Sequence, residues 1–572
     1  MKARLLHPHA HFPWRWAKQA AAERSARRTG YRSYRPEGVD PRAGLPWNAE
    51  DLLSDLGLLL VLEAMAQADD WIFEVSRRVL LEGTSGDLDT IRYRQAVLQD
   101  CLRHAEVVRE LYQLVVEAAE QVRESYSGVL SRSPDWVLRE SVETLRKLLG
   151  SLRRLLSLAD RCCQRFSSEG WRAFFAMVQE NLGGAYLDQV EEHLRELTFP
   201  QGVLLSAQLG QANKGTHYLL HRVPRSRQTW LDRWRALFEP QPPAFRFEVH
   251  PRDEAGARAL GELRNRAIAS TAHSLGQAAD HVCDFFRMLR AELAFYVGCL
   301  NLHEALSHRG YPTCMPTPEP PCEPRLAFRG LYDPGLALTL NGPVVPNDLE
   351  ADGTLLVFIT GPNSGGKTTF LRSLGAAQLM MQAGMFVPAE GYRASLCDGV
   401  FTHFPRGEDV RMERGKLDEE LSRMSEIVDR LRPGSVLLVN EAFASTNERE
   451  GSEIARQILR ALTERGVRVF FVTHLFELSR SFEGAEGTLF LRAERDVQGR
   501  RTYRVVPARP LPTSHAQDVY ERIFGSGSQV EGETCRSGRG EQQSEPGPAL
   551  GKVRGLHPAS MREGDVLGDG KA

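Results

Sequence analysis

The sequence lacks a long apolar run, is poor in cysteine and carries almost no net charge, and each shortage removes a class of protein. Over 572 residues no stretch approaches the roughly 18 uncharged apolar residues that a membrane-spanning helix needs. The best candidate, Leu56–Leu62, stops at Glu63, so no membrane association is expected. The amino-terminal MKARLLHPHAHFPWRW has basic residues but no continuous apolar segment before a small-residue cleavage site, so it does not read as a secretory signal. Nine cysteines are scattered, and the close pair Cys162 and Cys163 is adjacent rather than spaced as metal ligands or a redox pair. Reduced thiols in a cytoplasmic protein are expected. A formal net charge of −2 supplies no bulk positive field, so any nucleic-acid binding must rest on local patches.

What is present is ordinary globular material, 42% hydrophobic and 26% charged, in a length that suggests several folded units. Residues 1–48 carry ten Lys/Arg against Glu23, Glu37 and Asp40, interleaved with Trp14, Trp16, Tyr31 and Tyr34. They read as a basic, disordered arm, either solvated or able to grip phosphates and stack on bases. Residues 49–325 read as a helical domain. Proline is absent from 47 to 133 and again from 252 to 311, and Leu138, Val142, Leu145, Leu149, Leu152 and Leu156 recur in steps of four and three, the pattern of a helix-packing seam. Inside it, 203–223 reads as a β-hairpin around Gly210–Gly215. Lys214, Arg222, Arg225 and Arg227 make the hairpin region basic. These are candidate contacts to a nucleic-acid backbone, or simply a solvated face.

After the proline-rich stretch 312–324 the pattern turns α/β. Apolar runs at Leu355–Ile359, Val436–Val439 and Val467–Val472 alternate with helical segments, which predicts a largely parallel sheet with helices on both faces over 326–525. Residues 526–572 lack periodicity and read as a disordered tail.

The chemistry sits in Gly361-Pro362-Asn363-Ser364-Gly365-Gly366-Lys367-Thr368, the spacing of a phosphate loop between a strand and a helix. Glycines let backbone N–H groups curl around a phosphate at a helix amino terminus. Lys367 would reach the β- and γ-phosphates of ATP, and the Thr368 hydroxyl would ligate Mg²⁺. Val436–Val439 ends in Asn440 and Glu441. An acidic group normally occupies the first of these positions; Asn440 can only accept a bond from metal-bound water, so Mg²⁺ should be held more weakly. Glu441 is placed to activate the attacking water, and His474, after Phe471-Val472-Thr473, to sense the γ-phosphate.

These residues resemble the MutS family of DNA mismatch-repair ATPases. The resemblance runs through Val344-Val345-Pro346-Asn347-Asp348, through Ile359 to Thr369, and through Gly384-Met385-Phe386-Val387-Pro388-Ala389. It continues in Asn440-Glu441 with Ser445-Thr446 and in Phe471 to Leu478, and more loosely in Thr90–Ala96 and Cys299-Leu300-Asn301. It implies an α/β P-loop, ABC-like ATPase domain preceded by a long-helix core and lever domain, with Thr369 among the nucleotide contacts. It also implies a homodimer with composite ATP sites that clamps duplex or branched DNA, alongside repair partner proteins. Three departures shape the expectation. No phenylalanine is followed two residues later by glutamate, the family's mismatch wedge, so the chain should not itself read mismatches. Leu417 stands where the family carries a serine facing the partner's nucleotide, and Asn440 replaces the family's aspartate, which together imply slow ATP hydrolysis. Two other readings stay open: a nucleotide-gated structural protein with little hydrolysis, and an RNA- or ribosome-directed relative.

Overall fold

A 55-residue helix, Glu254–His308, is the spine of the amino-terminal half of the computed structural model. The structure describes residues 3–10, 12, 14–29, 44–82, 87–125, 133–211, 215–222, 248–406 and 415–511. Asp253 caps the long helix by accepting the Gly256 N–H at 2.9 Å. From Cys283 to Leu306 the helix is buried on nearly every side, and a helix apolar all round must be enclosed. Helices Leu58–Ala66, Asp70–Glu82, Ala105–Ser125 and Pro134–Cys162 enclose it. The last begins at Ser133, which accepts the Trp136 N–H at 3.3 Å, with Pro134 in the first turn. Its seam buries Leu138, Val142, Leu149 and Leu152, while Leu145 and Leu156 are half-buried.

The other end of the long helix is more open, with Leu260 and Leu263 exposed. A satellite core of Leu138, Ile268 and Ala272, with Phe199 and Leu220 against it, seats an antiparallel hairpin of β1 (Leu204–Leu209) and β2 (Gly215–His221). The hairpin's described surface is more apolar than basic: Leu204, Leu209 and Leu219 are exposed, and Arg222 donates from Nε to Glu196 at 3.1 Å. Arg222 is thus an exposed side chain paired with Glu196. Lys214, Arg225 and Arg227 lie outside the described residues.

The expected disordered arm at 1–48 needs correction in its described part. Trp14–Thr29 is a helix, and Leu5, Leu6, Phe12 and Trp16 are buried. These side chains join the main apolar core, and a carboxylate far along the chain takes up the segment's backbone donors. Glu292, buried within the long helix, accepts the N–H groups of Leu5 at 2.9 Å, Leu6 at 2.7 Å and Phe12 at 3.1 Å. Arg94 donates to Leu6 O at 2.7 Å and to Ala383 O at 3.3 Å. One of the arm's cations is engaged too: Arg24 pairs with Glu63 and Asp70 and lies 3.2 Å from the centre of the Phe73 ring. The expected tail at 526–572 lies outside the described residues.

The carboxyl-terminal half is built on two sheets. Its strands are β3 (Thr317–Glu319), β4 (Leu326–Leu331), β5 (Asn347–Glu350), β6 (Leu356–Thr360), β7 (Gly391–Ser395) and β8 (Val400–His403), followed by β9 (Val436–Asn440), β10 (Arg468–Val472), β11 (Thr488–Arg495) and β12 (Arg501–Pro507). A six-stranded sheet runs β12-β11-β6-β10-β9-β8, parallel except for β12. Strand alternation divides its side chains between two cores. Leu356, Phe358, Leu437, Val439, Val469 and Phe471 face one, and Val357, Ile359, Leu438, Phe470 and Val472 face the other. That second core continues without a break into the helical half.

The expected boundary at 325/326 therefore does not separate two cores. The proline-rich stretch contributes β3, which pairs with β7, and Asn48 reaches across to donate to Val400 O at 2.9 Å. The helix Lys367–Gln382 also joins the halves: Gly375 lies so close to Leu56 and Leu438 that a Cβ there would sit 2.6 Å from Leu56 Cδ2. Among the described residues no helix is long and apolar enough to cross a membrane.

Candidate functional site

The loops after β6, β9 and β10 leave the carboxyl ends of adjacent parallel strands, where open α/β sheets place ligands. The first, Gly361–Gly366, depends on conformations that L side chains rarely adopt: φ is +120° at Gly361, +57° at Ser364 and +93° at Gly366. The loop is also pressed against the β11–β12 pair. A Cβ on Gly365 would lie 2.9 Å from Ala493 Cβ, and one on Gly366 would lie 3.1 Å from Tyr503 O. The backbone is thus held as a fixed cradle at the amino terminus of helix Lys367–Gln382, whose first-turn N–H groups have no intrahelical acceptor.

Lys367 is buried, and its Nζ donates to Gly361 O at 3.0 Å and Pro362 O at 3.1 Å. It also lies 3.1 Å from His474 Nε2 and 3.8 Å from Glu441 Oε1. Burial lowers its pKa, and the Glu441 charge opposes that shift. Glu441 Oε1 lies 3.1 Å from His474 Nε2. That bond, ahead of the partly offsetting desolvation, holds the carboxyl below its ordinary value. Thr368 Oγ1 donates to Asn440 Oδ1 at 3.2 Å. Lys367, Glu441 and His474 therefore form one connected set, with the Thr368–Asn440 pair on the same strand end.

A cavity of about 500 Å³ opens over the loop, lined by Ser364 through Phe370, Glu441, Tyr332, Val344, Val345 and Tyr503 among others. His474 is not on its wall; it lines a smaller cavity of about 170 Å³ with Thr360, Gly361 and Glu448. Gly361, Pro362 and Asn363 form the loop's entry and are absent from the larger cavity's lining. Thr369 is on that lining. Leu417 packs partly buried against the second core. Among the described residues no group of three or more His, Cys, Asp or Glu side chains could hold a metal ion.

Several residues of the site escape sequence reasoning. Tyr332 and Tyr503 arrive from β4's end and from β12, with no motif around them. Asn347, within the segment Val344–Asp348, accepts the Val505 N–H at 2.8 Å and so ties β12 beside the loop. Glu420 accepts the Phe443 N–H at 2.9 Å, and Glu448 accepts the Phe476 N–H at 2.9 Å. Each bonds across more than twenty positions, and only the acidic run at 418–420 could draw attention to Glu420.

Comparison with known proteins agrees with this arrangement. The MutS2 N-terminal domain matches residues 86–309, and MutS domain V matches residues 357–501. DNA mismatch repair protein MutS of Thermus aquaticus is 31% identical over 348 residues, 59% of this chain and 40% of that protein. Endonuclease MutS2 of Thermus thermophilus is 32% identical over 187 residues, 32% of this chain and 25% of that protein. DNA mismatch repair protein MSH3 of Arabidopsis thaliana is 35% identical over 174 residues, 29% of this chain and 16% of that protein. The chain thus matches at most 40% of the length of these relatives. Two MutS-family domains are thus matched in order along the chain, and the glycine loop, Asn440-Glu441 and His474 meet at the carboxyl ends of neighbouring parallel strands.

Proposed function

We propose that this chain is an ATP-hydrolysing, DNA-binding protein that works in DNA repair or recombination as an ATP-gated dimeric clamp, through a P-loop, ABC-like ATPase domain carried on long lever helices. The observation that carries the nucleotide half is the convergence of Lys367, Thr368 and Glu441 on one cavity of about 500 Å³, a volume ordinary for small-molecule sites. The residues fit a nucleoside triphosphate. The glycine cradle leaves no room for side chains, and Lys367 occupies itself with loop carbonyls that phosphate oxygens would replace as partners. Tyr332, Val344 and Val345 offer an apolar wall suited to a flat base.

The Thr368 hydroxyl and the Asn440 amide would hold Mg²⁺ with its waters. When bound, that ion neutralises phosphate charge. Glu441, kept ionised by His474, would take the proton of the attacking water. Asn440 brings no charge, which supports slow turnover with ATP binding as the main switch. The DNA half rests on the relatives, named for DNA mismatch repair and for an endonuclease, and the dimer on the family resemblance of the sequence motifs.

The test measures ATP affinity and turnover for wild type, Lys367→Ala and Glu441→Gln. It is combined with binding to perfect duplex, mismatch, four-way junction and RNA at two salt concentrations, with and without nucleotide. Lys367→Ala is expected to lose nucleotide affinity, and Glu441→Gln to bind ATP but turn it over slowly. Equal ATP affinity in wild type and Lys367→Ala refutes the site. Binding to RNA in preference to every DNA refutes the repair reading.

A further inference from the structure

Glu441 stands in a turn that ordinary backbone does not adopt, and the way that turn is held points to a residue with a part in the reaction. Both Glu441, at φ +54°, and Phe443, at φ +62°, lie in the left-handed region. For non-glycine residues this costs about 1–3 kcal/mol each and persists only where surrounding contacts over-determine it. Three contacts do so here. Glu441 N donates to Val472 O at 2.9 Å. The Phe443 carbonyl packs on Gly451, where a Cβ would lie 2.5 Å from its oxygen. The Phe443 N–H donates to Glu420 Oε2 at 2.9 Å, and Ser445 Oγ donates to the same oxygen at 3.5 Å. Of the three, only the last depends on a side-chain acceptor.

We infer that Glu420 is a positioning residue for ATP hydrolysis: as the acceptor of the Phe443 N–H it holds the left-handed turn that aims the Glu441 carboxylate at the cavity. The inference rests on the ATPase reading above. It adds a coupling, because Glu420 sits on helix Lys416–Val428, an element separate from the strand that carries Glu441. A shift of that helix changes the aim of Glu441 without touching the glycine loop. Lys367 and the cradle bind nucleotide through other bonds, so loss of Glu420 should act on the chemical step and spare binding.

The experiment compares steady-state ATP hydrolysis and direct nucleotide affinity for wild type, Glu420→Ala, Glu420→Asp and Glu420→Gln, with Glu419→Ala as a neighbour control and thermal unfolding for each. A misplacement near 1 Å costs on the order of a hundredfold in rate, so kcat should fall about tenfold to a hundredfold in Glu420→Ala, with KM and nucleotide affinity within about twofold of wild type. Glu420→Asp keeps the charge but is one methylene too short, and should behave like Glu420→Ala. Glu420→Gln keeps an oxygen acceptor at full length, and should recover most of the rate. If Glu420→Ala does not fold, Asp against Gln decides the same question. A hydrolysing wild type matched by Glu420→Ala or Glu420→Asp overturns the positioning role alone. So does Gln failing as badly as Ala, since that assigns the effect to charge. A wild type that binds no ATP and hydrolyses none overturns the ATPase reading, and this inference with it.

Discussion

Glu292 sets two physical effects against each other, and one substitution separates them. Burial inside the long helix disfavours its charge, while the N–H groups of Leu5, Leu6 and Phe12 favour it. Burial is the larger effect, and the pKa rises from 4.5 to about 7. The displacement is worth about 3 kcal/mol. For a carboxyl raised in the folded state, the native protein keeps a proton that the unfolded chain has released. The associated stability is full below pH 4.5 and is lost as pH rises through 7. His7, in the same segment, works in the opposite direction. Burial, then the Arg94 charge, lowers it from 6.5 to about 4, so its contribution grows as pH rises from 4 to 6.5. In wild type the two largely mask each other. Glu292→Gln removes the falling part. At pH 4.5 a protonated carboxyl and an amide present similar groups, so the variant should lie within about 2 kcal/mol of wild type, the scale of one buried N–H left without an acceptor. By pH 7.5 it should have gained about 3 kcal/mol relative to wild type. Urea denaturation at steps from pH 4.5 to 7.5 measures this, and hydrogen exchange at Leu5, Leu6 and Phe12 shows whether the effect is local. A deficit that stays constant or widens with pH would refute the reasoning, because the three N–H bonds would then outweigh burial.

Asn440→Asp should lower the Mg²⁺ concentration giving half-maximal ATP turnover, since a carboxylate adds charge beside the Thr368 hydroxyl; an unchanged or higher requirement counts against the metal assignment. Gly451→Ala should destabilise the protein by about 1–3 kcal/mol, because its Cβ would meet Phe443 O at 2.5 Å; thermal unfolding unchanged from wild type would show that the turn can relax. Nucleotide should promote dimerisation, which light scattering with ATP and Glu441→Gln can follow; a monomer at high concentration argues against the clamp. Since Arg222 is held by Glu196, Arg222→Ala alone should leave the salt dependence of DNA binding unchanged, whereas an unpaired phosphate contact would flatten its slope by about one counterion.

The features legible in the sequence are those set by near neighbours. The glycine loop, the strand before it and the helix after it occupy one short stretch, and spacing alone implies a cradle for phosphate. Asn440-Glu441 and His474 follow short, valine-, leucine- and phenylalanine-rich apolar runs that read as buried strands, and that pattern places them at strand ends. Helical periodicity likewise marks the Leu138–Leu156 seam. The tertiary structure decided what depends on distant partners. The basic composition of 1–48 suggests a solvated arm, yet Leu5, Leu6 and Phe12 join the main core and donate to Glu292, some 280 residues away. Arg222 has the look of a free cation until the fold supplies Glu196. The proline-rich stretch resembles a domain border, yet it supplies β3 to a sheet whose other strands come later. Glu420 carries no motif, and its bearing on Glu441 exists only because the fold brings Phe443 N–H within 2.9 Å of it. Local pattern determines which elements form because it reflects backbone geometry and side-chain periodicity. Which buried polar group meets which partner is decided only when packing removes water and leaves each donor and acceptor to find another.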